Sequence, residues 1–73
     1  MNKRDIINMC LEGMRERSKI TNALEFHYAS INGYYDCKAA ASKAGYIGEC
    51  FVQLWNQACK LHARELNIRE AIE

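Results

Sequence analysis

The breadth of apolar surface on its two longest helical patterns constrains this chain more than any other feature. On a wheel of 100° per residue, residues 22–43 confine most of their polar side chains to about a third of the circle. Residues 47–66 do much the same. A small domain turns one stripe of each helix inward, and arcs this wide need more to pack against than 73 residues supply. The excess argues for a partner, most simply a second copy.

Composition narrows the fold class to all-α. There is no proline, only four glycines, and almost no run of valine, isoleucine and threonine, which disfavours a turn-rich β fold. Alanine, leucine, glutamate, lysine and arginine favour helix. A single domain over residues 1–73 is expected, with residues 1–2 and 68–73 as frayed ends. Such a domain is marginal alone: ordering costs roughly 1.5 kcal/mol per residue against about 25 cal/mol per Å² of apolar burial.

Three helices follow from the pattern. The first covers Lys3–Arg17, with Asn2 as cap and Asp5 completing a capping-box pair. Ile6, Ile7, Cys10, Leu11, Met14 and Ser18 share its inner side. A weakly signalled boundary falls at residues 18–21. The second helix starts near Asn22, with an inner line of Leu24, Tyr28, Ile31, Tyr35, Ala39 and Ser42. Beside it runs a flank of Ala23, His27, Ser30, Tyr34, Cys37 and Ala41, with Phe26 beyond. Gly33 inside this helix marks a bend or a close approach by another backbone, and a break there is the rival architecture. Gly45 is the turn candidate. The third helix runs from about Ile47 to Leu66 or on through Ile72. Its main line is Ile47, Cys50, Phe51, Leu54, Ala58 and Leu61, and its second is Val52, Trp55, Cys59, Ala63 and Leu66.

The second and third helices, roughly 33 and 30 Å long, are expected to form a central antiparallel hairpin with the first across it. The three-helix unit then assembles as a homodimeric helical bundle. The flanks left uncovered, Phe26 and Tyr34 on one helix and Val52, Trp55, Cys59 and Leu66 on the other, are the expected interface.

Ten basic and nine acidic side chains give a formal charge of +1, which supplies no general attraction to nucleic acid or membrane. No apolar run reaches membrane-spanning length, and the start of the chain lacks a signal-peptide core, so a cytoplasmic protein is expected. The four cysteines, Cys10, Cys37, Cys50 and Cys59, then read as reduced thiols in packed positions, ahead of two disulfides. Cys59 and His62 sit at helical spacing, and zinc would need His27 with Cys37 or Cys50 to join them. Without C-x-x-C or H-x-x-x-H spacing, neither a metal nor a cofactor is expected. Nor is there a phosphate loop or an acid–base pair to suggest an enzyme.

The expected role is therefore a non-enzymatic protein–protein interaction module, a small modulator or adaptor of another protein. The alternative is a DNA-binding regulator with a helix-turn-helix arrangement around residues 18–21. Glu25 and Asp36 on the following helix would oppose phosphate.

Overall fold

The computed structural model describes the backbone of residues 1–72 and the side chains of residues 1–68. Three α-helices make up the chain: α1 (Lys3–Arg17), α2 (Ala23–Lys43) and α3 (Glu49–Ile72). No strand occurs among the described residues.

The helix ends follow local chemistry closely. Asn2 accepts a hydrogen bond from the Asp5 backbone N–H at 2.9 Å, and the Asp5 carboxylate accepts one from the Asn2 N–H at 3.3 Å. This is the capping box the sequence predicts, so Asn2 belongs to a helix start and not to a loose end. At the other end of α1 the Ser18 hydroxyl donates to the Met14 carbonyl at 2.9 Å. Asn22 then caps α2 by accepting from the Glu25 N–H at 3.0 Å. The side chain of Asn22 thus separates two helices that no glycine or proline divides.

The end of α2 is a Schellman motif. Tyr46 N–H reaches the Ala41 carbonyl at 2.9 Å, Gly45 N–H reaches the Ser42 carbonyl at 3.0 Å, and Gly45 holds the required positive φ of 93°. Gly48, with φ 56°, leads into α3. Ile47 therefore lies in the linker, 65% exposed, and does not head the inner line of α3. That α3 runs on to Ile72 carries the helix through most of the expected frayed end, whose last side chains lie outside the described residues.

The core comprises Ile6, Cys10, Leu11 and Met14 of α1, Cys37 and Ala41 of α2, and Phe51, Leu54 and Ala58 of α3. Helix α1 supplies most of the large aliphatic side chains, each stabilising by about 1.5–3 kcal/mol when fully buried. It also packs against both other helices, whereas α2 and α3 meet at few positions. The central element is α1, in place of the hairpin of α2 and α3 expected from their matched lengths.

The face that α2 turns inward also differs from expectation. Its buried and half-buried residues are Ala29, Ser30, Gly33, Tyr34, Cys37, Ala40 and Ala41, continued by the cap residue Ala44. That is the expected flank from Ser30 onward together with the small residues beside it, while Ala23 and His27 of that flank are exposed. The expected inner line faces out: Leu24 is 63% exposed, Tyr28 59%, Ile31 41% and Tyr35 61%, with Ala39 and Ser42 exposed as well. Small side chains let α2 lie close on α1, and close packing outweighs the larger but more distant contacts the other face would make. In α3, Phe51, Leu54 and Ala58 point inward as expected, while Cys50 and Leu61 are exposed.

Gly33 neither breaks nor ends α2, which is continuous across it. The Arg17 guanidinium lies over it, and a Cβ at position 33 would collide with Nη1 of that group. The close approach comes from a side chain of α1 and not from a backbone.

Candidate interaction site

Because α2 and α3 are packed on α1 more than on each other, a cleft opens between the first half of α2 and the middle of α3. Its volume is about 280 Å³, and Phe26, Ser30, Trp55, Cys59, Ala63 and Leu66 form its walls, with Met14, Arg17, Ser18 and His62 completing the lining. Four of the six residues expected at an interface, Phe26, Trp55, Cys59 and Leu66, meet here. Tyr34 stands behind the wall, its ring edge-on to Trp55 at 4.9 Å and to Phe51 at 5.4 Å. Val52 is half-buried and does not line the cleft. Trp55 is thus held within its own chain, half-buried, with one side left for the cleft.

Sequence reading missed Arg17, which enters it only as the last residue of the first helix. Its guanidinium carbon lies 5.9 Å from the Trp55 ring centroid, a cation–π contact. The side chain is half-buried, and no carboxylate or other hydrogen-bond acceptor among the described residues pairs with it. The neighbouring acids are engaged elsewhere. Arg15 forks onto Glu65, with Nε on Oε2 at 3.0 Å and Nη2 on Oε1, which holds the Arg15 proton still more firmly. Glu16 pairs with Lys19 at 3.2 Å. The signal that could have found Arg17 is Gly33, whose missing side chain makes room for it.

Three thiols surround the same spot. A hydrogen bond between the Cys10 and Cys37 thiols holds Cys37 down to about 7, assisted by the positive charge of Arg17 and opposed by burial. The same bond, with burial, pushes Cys10 far above the ordinary thiol range. Burial raises Cys59. Accessibility decides reactivity here, because Cys10 and Cys37 are buried while Cys50 and Cys59 are exposed. Titration with Ellman's reagent should therefore count two thiols in the native protein, Cys50 ahead of Cys59, and all four only in guanidinium. Rapid modification of four native thiols would contradict this packing.

His62 does not join the thiols: its Nε2 is 2.9 Å from the Ser18 hydroxyl. Among the described residues no three histidine, cysteine or acidic side chains stand together as metal ligands. No helix among them is long and apolar enough to cross a membrane.

The second feature is the outer face of α2. Leu24, Tyr28, Ile31 and Tyr35 follow the four–three–four spacing of a coiled-coil seam over three turns, and all four stay exposed among the described residues. His27 meets Tyr28 edge-on at 5.8 Å, and Tyr34 meets Tyr35 edge-on at 5.6 Å, so each tyrosine of the seam has an aromatic neighbour.

A scan against protein-family models finds no match, and comparison with curated proteins and with solved structures finds none either.

Proposed function

We propose that this chain is a non-enzymatic helical interaction module that self-associates as a homodimer through the outer face of α2 and modulates another cytoplasmic protein. The observation that carries the reading is the exposed seam of Leu24, Tyr28, Ile31 and Tyr35. Those four side chains hold on the order of 500 Å² of accessible surface per copy, so a symmetric pair would bury about 1,000 Å². That is the lower edge of a specific interface.

Direction follows from the helix dipoles, which an antiparallel pair related by a two-fold axis at the middle of the seam aligns favourably. The same face weighs against the DNA-binding reading. A recognition helix presents polar and basic groups to the major groove, and this one presents leucine, isoleucine and tyrosine.

Sedimentation equilibrium across a dilution series tests the proposal. The expected mass is twice the 8.4 kDa of the chain at tens of micromolar, falling toward 8.4 kDa on dilution. A single 8.4 kDa species at tens of micromolar would overturn it.

A further inference from the structure

We propose that the cleft between α2 and α3 is a binding site for a small carboxylic acid with an apolar body, its carboxylate held by Arg17. This inference does not rest on self-association, since the cleft and the outer face of α2 are separate surfaces.

The cation comes first in the argument. A half-buried guanidinium has lost part of its hydration, and Arg17 recovers none of it from a carboxylate among the described residues. It is also held in position, resting on the bare backbone of Gly33 and beside the Trp55 ring. A planar fork fixed in this way suits a carboxylate, which it can engage with two parallel hydrogen bonds.

The rest of the cleft sets the class of molecule. Phe26, Trp55 and Leu66 present apolar walls, so the group beyond the carboxylate must itself be apolar. Ser30 adds a hydroxyl, although that group donates to the Phe26 carbonyl at 2.7 Å and is available only as an acceptor. A volume of about 280 Å³ is just below the roughly 300–1,000 Å³ of sites for drug-sized molecules. A compact acid fits, with one ring or a short chain.

The probes are 4-phenylbutyrate and its neutral amide, read by the emission of Trp55, the only tryptophan in the chain. The carboxylate should produce a saturable change at about 0.1–1 mM, and the amide should bind at least tenfold more weakly. Arg17→Gln should abolish that preference while circular dichroism shows an unchanged helix content. Gly33→Ala is the second variant. The added methyl displaces the guanidinium, so carboxylate binding should weaken at least fivefold with the melting temperature held or raised, since alanine favours helix.

Equal binding of acid and amide, no saturable change, or an Arg17→Gln protein that binds 4-phenylbutyrate like the wild type would each overturn the proposal. A tripeptide ending in phenylalanine supplies the same chemistry from a protein terminus. If its free-acid form binds tenfold more tightly than 4-phenylbutyrate, the site is for a chain end and the small-acid assignment falls.

Discussion

Phe51→Ala is expected to lower the melting temperature by at least about 12 °C, followed by circular dichroism. Phe51 is 1% exposed and is among the largest fully buried side chains, with Tyr34 and Trp55 against its ring. Truncating a buried phenylalanine costs about 3–5 kcal/mol, from lost transfer energy and the cavity left behind. At 0.05–0.15 kcal/mol per residue, a chain of 73 residues has about 4–11 kcal/mol in total. Each kcal/mol is worth about 4–8 °C at this size, so the loss removes much of the stability and can unfold the protein at room temperature. Ile47→Ala is the matched comparison. The sequence pattern puts Ile47 on the same inner line, but it lies exposed in the linker, so its truncation should change stability by less than about 0.5 kcal/mol. Equal effects at the two positions would mean that α3 begins earlier than Glu49 and packs from Ile47 onward.

That pair of positions shows what the sequence makes legible. Helix α1 has one apolar stripe and a complete capping box, so its bounds and its inward residues follow directly from the pattern. The Gly45 turn is equally readable, because its geometry needs the left-handed conformation that glycine supplies. Helix α2 defeats the same reading for a physical reason. It carries two apolar lines on roughly opposite sides, and a wheel ranks them by bulk. Packing against α1 selects the line with the smaller side chains, Gly33, Cys37, Ala40 and Ala41, because they allow close approach. The larger line, Leu24 to Tyr35, is displaced to the outside.

The candidate site was half legible for a related reason. Phe26, Trp55, Cys59 and Leu66 could be recognised as uncovered flanks, each on its own helix. Their meeting in one cleft depends on α1 being the central element, and no single-helix periodicity reports that. Arg17 depends on the register between α1 and α2. On its own wheel it is an ordinary surface cation, and only the placement of Gly33 beneath it makes it a fixed, half-buried one.

Ile31→Asp is expected to weaken self-association at least 100-fold, about 2.7 kcal/mol, while leaving the monomer folded. Ile31 lies near the middle of the exposed seam, so in a two-fold pair the substitution places two carboxylates close together in the apolar part of the interface. Each would lose hydration in the apolar part of the interface, and the nearest cation on that face of α2, Lys38, stands two turns away. The monomer tolerates the change because Ile31 is already 41% exposed and makes no core contact. Sedimentation should therefore show a single mass at tens of micromolar. The wild-type melting temperature should rise with protein concentration and that of the variant should not. Leu66→Asp, on the cleft, separates this interface from the one expected on the flanks of α2 and α3. If Leu66→Asp gives monomers and Ile31→Asp retains dimers, the copies meet across the cleft, and the outer face of α2 is left for a different protein.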